Sequence, residues 1–224
     1  MSPFRRVLAS SIGTKLLIAL TGLALVLYLV LHLAGNLLVF AGPAAFNEYG
    51  HKMASNKPLL YSAEIGLALL FLLHIYKAVL NYRANQRARP TGYAMKRWAG
   101  HTSRKSIAST TMIWTGLATL VFVVLHVRMF RFGTHYDAVE PGARDLYRLE
   151  AEIFGNPFWV LFYIVAMVVV AFHVRHGFSS AFQSLGIDHP RYTNRLMAVS
   201  TALALILGVG FALIPLLFYL GLVR

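Results

Sequence analysis

Five long apolar stretches constrain this chain more than any other feature: Leu16 to Phe40, Leu59 to Leu80, Ile107 to Phe130, Pro157 to Phe182 and Leu196 to Leu222. Each reaches the roughly 20 residues that an α-helix needs to cross a hydrocarbon layer about 30 Å thick. Continuous runs such as LLIALTGLALVLYLVLHLAGNLLVF match helices, and the short alternating strands of a membrane barrel are missing from the sequence. The chain therefore reads as an all-α membrane protein, a single five-transmembrane-helix bundle over residues 1–224. Composition agrees: 58% of the 224 residues are hydrophobic and 13% are charged, more apolar surface than a soluble domain of this length can bury. The N-terminus imitates a secretory signal with Arg5, Arg6 and Lys15. The apolar run that follows is too long for one and ends in HLAGN without a small-x-small cleavage site, so it reads as the first span.

Basic residues near the span ends set the expected orientation. The N-terminal tail has Arg5, Arg6 and Lys15, and the second connection has Arg83, Arg87, Arg89, Lys96, Arg97, Arg104 and Lys105 without one acid. The third connection mixes Arg131, Arg144 and Arg148 with Asp137, Glu140, Asp145, Glu150 and Glu152, and the first has Lys52 and Lys57 beside Glu48. This bias puts the N-terminus and the second connection in the cytoplasm and, with five spans, the C-terminus outside. The net charge of +13 is mostly the same bias, and a basic face also suits an acidic soluble subunit. Nucleic acid is a poor partner, because the basic residues stand at the feet of membrane helices and are not interleaved with stacking aromatics.

The chain has no cysteine, so any metal falls to His, Met or carboxylate ligands. Of nine histidines, His51, His101, His135 and His189 fall in connections, where a solvated ring needs no explanation. His32, His74, His126, His173 and His176 fall inside spans, where an ionisable side chain is unfavourable enough to indicate function. One such ring can simply bond a neighbouring helix carbonyl; four helices that each supply one form the pattern of a ligand set. At 1.5 Å of rise per residue, His74 and His173 lie roughly 14 Å from the cytoplasmic ends of spans two and four. His32 and His126 lie roughly 24 to 29 Å past the cytoplasmic starts of spans one and three. Two pairs on two levels, roughly 10 to 15 Å apart, are what two stacked haems with two axial imidazoles each require.

Spans one and three also share a segment, TGLALVLYLVLH ending at His32 and TGLATLVFVVLH ending at His126, as two ligands on opposite faces of one haem would tolerate. Gly35, Asn36 and Gly177 offer small surfaces to a flat macrocycle, or to ordinary helix packing. Haem propionates need cationic or hydrogen-bonding partners. Lys77, Arg175 and His176 on the cytoplasmic side of the inner pair, and Arg128 on the outer side, are the candidates; Lys77, Arg175 and Arg128 equally suit snorkelling to the interface. His176 is an alternative ligand to His173, because residues three apart share a helix face.

The segments LHLAGNLLVFAGPAAFNEYG, FLLHIYKAVLNY, VVLHVRMF and AFHVRHGFSSAFQSLG carry a resemblance over nearly the whole chain. They resemble the five-helix, di-haem cytochrome b membrane anchors of succinate dehydrogenases and fumarate reductases. In the last segment a ligand His, a Gly four residues later and a further Gly that closes the helix imply His173 over His176. The resemblance implies two b haems, a proximal one on His74 and His173 and a distal one on His32 and His126. It further implies a flavoprotein subunit with FAD and an iron–sulfur subunit docked on the cytoplasmic face, with electrons passing to or from a membrane quinone such as menaquinone. A prokaryotic cytoplasmic membrane is the implied location, and the chain itself supplies no dicarboxylate chemistry. Some relatives have an acidic residue just before the span-four ligand; Ala171 and Phe172 stand there, so the resemblance does not extend to that proton route.

Quinone chemistry needs hydrogen-bond partners for two carbonyl oxygens and a proton acceptor. On the outer side Asn47, Glu48 and Glu64 lie near the expected distal haem, where the carboxylates could also simply face water. On the cytoplasmic side Lys77, Trp98, Ser103 and Arg104 are the alternatives. Competing readings are the cytochrome b subunit of another respiratory enzyme, such as a hydrogenase or formate dehydrogenase, or a transporter with a histidine proton relay. The relay calls for broken helices, paired mid-depth acids or inverted repeats, and none is evident. An intramembrane metalloprotease requires a pattern such as HExxH, which the chain lacks.

Overall fold

The computed structural model describes residues 10–88, 110–139, 142–187 and 189–223. The described helices are α1 (Ser11–Asn36, continued by a 3-10 turn over Leu37–Ala41), α2 (Pro43–Ser55), α3 (Lys57–Arg87), α4 (Met112–Phe130), α5 (Leu146–Phe154), α6 (Pro157–Ser184) and α7 (Pro190–Tyr219). Five of them, α1 with its extension, α3, α4, α6 and α7, are long and apolar enough to cross a membrane, in agreement with the sequence. Ile107, the expected start of the third span, lies outside the described residues, as do Arg5, Arg6, Arg89, Lys96, Arg97, Trp98, His101, Ser103, Arg104, Lys105 and Glu140.

Helices α1, with its 3-10 extension, and α3 outrun their apolar stretches at both ends, α6 at its C-terminus and α7 at its N-terminus, because capping and not hydropathy sets helix ends. Helix α4 begins at Met112 and α7 stops at Tyr219, inside theirs. Ser10 Oγ accepts from the Gly13 amide at 3.0 Å and starts the helix at Ser11, five residues before the expected Leu16. Asn56, Asn156 and His189 cap α3, α6 and α7, each with a proline in the first turn that follows. At the other end of α6, Gly186 takes φ +81°, and the amides of Gly186 and Ile187 close on the carbonyls of Gln183 and Phe182. This is the closing glycine that the sequence pattern implied.

Among the membrane-crossing helices, α1, α3, α4 and α6 form a four-sided arrangement in which each packs on the next, so that α1 lies opposite α4 and α3 opposite α6. Helix α7 stands outside this square against α6 and α1, admitted by glycines: a Cβ on Gly208 would lie 2.9 Å from Ala171 Cβ of α6, and one on Gly210 would lie 2.8 Å from Leu33 of α1. The central core joins Leu33, Ala166, Met167, Val170, Val174, Ala204 and Leu207. Leu20, Leu27 and Leu31 on α1, Ile65, Leu69 and Leu72 on α3, and Leu161, Val165 and Val168 on α6 face outward and exposed. Apolar belts of this kind on several helices suit contact with lipid.

Helices α2 and α5 are additions to the sequence reading, which left both segments as connections. They are short, and α5 owes its start to Asp145, whose Oδ1 accepts from the Arg148 amide at 2.9 Å. Together they close one end of the bundle over a second core of Val39, Phe46, Tyr147, Phe154, Val160, Tyr163, Ile214 and Phe218. Asn47 fastens them to each other: its Nδ2 donates to Asp145 Oδ1 at 2.8 Å, and its Oδ1 accepts from the Tyr147 amide at 3.0 Å. The Arg144 guanidinium closes the C-terminus of α4 by donating to the carbonyls of Phe130, Gly133 and Thr134. Under this cap Glu150 is buried, and burial alone pushes its carboxyl up to about 8.

Candidate bis-histidine centre

Four of the five intramembrane histidines fall in two pairs, each across a diagonal of the square. Nearer the capped end, His32 of α1 and His126 of α4 meet edge to face with ring centroids 5.9 Å apart. Aromatic neighbours hold both rings: Tyr28 stacks on His32 at 5.3 Å, Phe122 stacks on His126 at 5.5 Å, and Phe211 of α7 flanks His32 at 5.6 Å. The Tyr163 hydroxyl of α6 lies 3.2 Å from His126 Nδ1. Asn36 donates to the His32 carbonyl at 2.7 Å, and its amide nitrogen stands 3.4 Å from His32 Nδ1, long for a hydrogen bond.

The second pair lies at the level of Thr21 and Thr115, which precede His32 and His126 by roughly 16 Å of helix rise. His74 of α3 sets Nδ1 3.0 Å from Thr21 Oγ1 on α1, and His173 of α6 sets Nδ1 3.1 Å from Thr115 Oγ1 on α4. These two rings are near enough to interact electrostatically. Each threonine gives its one hydroxyl proton to a helix carbonyl a turn back, Leu17 at 2.6 Å and Met112 at 3.1 Å. A hydroxyl committed in this way accepts at Oγ1, which favours an imidazole protonated at Nδ1 with Nε2 unprotonated. That is the tautomer of a metal-binding histidine whose other nitrogen is anchored.

Glycines follow both threonines and bring the backbone against the same rings. A Cβ on Gly22 would stand 3.1 Å from His74 Cε1, and one on Gly116 would stand 3.4 Å from His173 Cε1. Thr21, Gly22, Thr115 and Gly116 were not among the expected site residues, although their signal is the TG that opens both copies of the shared segment. Tyr163 has no such signal, being one aromatic in an apolar run. Gly35 serves another contact: a Cβ there would lie 2.6 Å from the Tyr49 hydroxyl of α2, and a Cβ on Gly177 has only Met112 at 4.0 Å.

Lys77 is half-buried on α3 beside the Tyr76 ring, and His176 is half-buried one turn beyond His173. Arg128 is exposed and donates to the Phe132 carbonyl, and Arg175 is exposed and donates to Thr201 of α7. At the capped end Glu48 pairs with Lys52 at 2.5 Å and Glu64 with Arg131 at 2.6 Å, while Asn47 is taken up between α2 and α5.

Among the described residues no three His, Cys, Asp or Glu converge as a conventional metal site requires. Imidazoles in twos, on opposed helices, suit a metal that brings its own equatorial ligands. An iron porphyrin is such a group, and the two pairs of donors fit it, as do the threonine-held rings and adjoining glycines of His74 and His173.

These features define a polytopic helical membrane protein with paired imidazoles between its spans. The chain is 30% identical over 192 residues, 85% of its length and 86% of the relative's, to the succinate dehydrogenase cytochrome b558 subunit of Bacillus subtilis. It belongs to the succinate dehydrogenase cytochrome b family. No protein-family model matches the chain, and no solved structure matches it.

Proposed function

We propose that residues 1–224 form one di-haem cytochrome b domain, the quinone-reactive membrane anchor of a succinate:quinone oxidoreductase in a prokaryotic cytoplasmic membrane. The observation that carries this reading is the pair of threonine-anchored imidazoles, His74 and His173, below a second facing pair, His32 and His126. The similarity to the succinate dehydrogenase cytochrome b558 subunit of Bacillus subtilis supports the same assignment. His74 and His173 would hold the inner haem b, and His32 and His126 the outer one. Bound there, the haems supply one-electron transfer between a soluble partner and quinone.

The chain's own work is binding and orientation. The helix square sets the ligand rings at two levels, and apolar side chains exclude water around them. Lys77, Arg175 and His176 are the candidate propionate partners of the inner haem, and Arg128 of the outer. Lys15, Arg83 and Arg87 mark the basic end opposite the cap, which would face the cytoplasm with the N-terminus and receive an iron–sulfur subunit joined to an FAD-bearing flavoprotein subunit. The capped end, with Asn47, Glu48 and Glu64, is the candidate region for quinone, menaquinone by the family resemblance. There Glu64 is held ready by the Arg131 fork, which keeps a charged hydrogen-bonding group at the span end.

A pyridine haemochrome assay and a reduced-minus-oxidised spectrum of the purified chain test the reading. Two b haems per chain are expected. His74→Ala or His173→Ala should remove the inner haem and leave the outer, and His32→Ala or His126→Ala should do the reverse. A colourless chain from cells replete in iron and porphyrin refutes the proposal, as does equal loss of both haems in all four variants.

A further inference from the structure

The shared segment of α1 and α4 has a second meaning that its sequence does not disclose. In both copies the pattern is Thr-Gly, nine residues, then His. The closing histidines, His32 and His126, pair with each other, whereas the opening Thr-Gly of each copy serves a different helix altogether. Thr21-Gly22 of α1 receives His74 of α3, and Thr115-Gly116 of α4 receives His173 of α6. Each helix of one diagonal thus has, at two levels, its own ring and a seat for a ring of the other diagonal.

We infer that Thr21-Gly22 and Thr115-Gly116 are positioning seats for the two imidazoles that would hold the inner haem, each setting its ring's tautomer and rotation from the neighbouring helix. The inference deepens the di-haem reading and rests on it. Three features recur in both seats. The hydroxyl proton is committed to a carbonyl of its own helix, at 2.6 Å for Thr21 and 3.1 Å for Thr115, which leaves Oγ1 an acceptor. Nδ1 lies at 3.0 Å and 3.1 Å from that oxygen. The following glycine faces Cε1: a Cβ on Gly22 would crowd His74 at 3.1 Å, and one on Gly116 would stand in contact with His173 at 3.4 Å, so the ring edge is bounded on the side next to Nδ1. A ring held at Nδ1 and bounded at Cε1 has lost much of its freedom about χ2, which leaves Nε2 as the nitrogen outside both contacts.

The chemistry follows from the acceptor role. An imidazole that donates from Nδ1–H to an oxygen is a stronger electron donor through Nε2, which favours the oxidised iron and lowers the midpoint potential. The histidines of the other pair have different Nδ1 neighbours, a tyrosine hydroxyl and an asparagine amide, so a change at the threonines should reach the inner haem alone.

The test is a potentiometric titration of the full chain in membranes, followed by visible spectra and by the low-spin haem signals in electron paramagnetic resonance. Thr21→Val and Thr115→Val keep the side-chain volume and remove the acceptor. Each should raise the inner midpoint potential and alter the inner haem's resonance, with the outer haem unchanged. Thr21→Ser and Thr115→Ser keep the oxygen and should return both readouts to parental values. Gly22→Ala, with the closer contact, should disturb the inner resonance more than Gly116→Ala. Valine variants with two haems and an unmoved inner potential overturn the inference, as does a shift confined to the outer haem. If a valine variant loses its inner haem, the serine variant must retain it at the parental potential; loss in both overturns the seat as drawn. A chain without haem in any form refutes the di-haem reading instead, so the two failures are distinct.

Discussion

Glutamine at position 150 should make the protein's stability markedly less sensitive to alkali. Glu150 sits on α5 beneath the cap, only 6% exposed, and its Oε2 has no hydrogen-bond partner. Its carboxyl is raised from 4.5 to about 8 by burial, so the folded chain holds a proton that the unfolded chain releases. A raised carboxyl leaves stability intact below pH 4.5 and erodes it as pH climbs towards 8, where the loss levels off. At about 1.4 kcal/mol per pH unit of difference, the loss is roughly 1.4 kcal/mol at pH 5.5, about 3 at pH 7 and about 5 at pH 9. Glu150→Gln keeps the shape and cannot ionise. Thermal unfolding in detergent, followed by tryptophan fluorescence between pH 5.5 and 9, should show the gap between variant and parent growing by about 3 kcal/mol in the variant's favour. For a chain of this length that corresponds to roughly 6–12 °C in Tm. Parallel curves would refute the reasoning, since they would mean that the carboxylate is paired or hydrated on ionisation. The protonated-carboxyl stretch in the infrared spectrum, present at pH 7 in the parent and absent in the variant, provides a check that does not depend on unfolding.

Two further outcomes follow from contacts at the capped end. Gly35→Ala puts a methyl group 2.6 Å from the Tyr49 hydroxyl and should cost about 1–3 kcal/mol by overpacking, and adding Tyr49→Ala should recover most of that; additive losses in the double variant argue against the clash. Arg144→Met removes the guanidinium that holds three carbonyls after α4 and should cost about 2–4 kcal/mol, with faster amide exchange over residues 131–139; unchanged exchange there means that the turn holds itself.

Five spans were legible in the sequence because apolar length is a local property of the chain and needs no partner to be read. The levels of the histidines were legible for a similar reason, since helical rise converts residue number into depth before any helix has a neighbour. Capping signals such as Ser10 and His189-Pro190 were equally available and would have improved the starts of α1 and α7, which hydropathy alone placed at Leu16 and Leu196, while the start at Pro157 was read directly. Helices α2 and α5 were harder to see: they are short, and α5 buries Tyr147, Leu149, Glu150 and Phe154 only because α2, α6 and α7 surround it.

Adjacency is where local reading ends. The spans are apolar on nearly every face, so their periodicity names no preferred neighbour, and side-by-side order depends on contacts between residues far apart in the chain. Close approaches such as Gly208 to Ala171 and Gly210 to Leu33 set α7 outside the square and leave α1 opposite α4. From that order comes the meeting of Thr21 with His74, 53 residues away, and of Thr115 with His173, 58 residues away. The amino acids announced a membrane bundle with imidazoles at two depths. Which helix holds which ring, and through which hydroxyl, was settled by packing, because a hydrogen bond between helices exists only once both have been brought within about 3 Å.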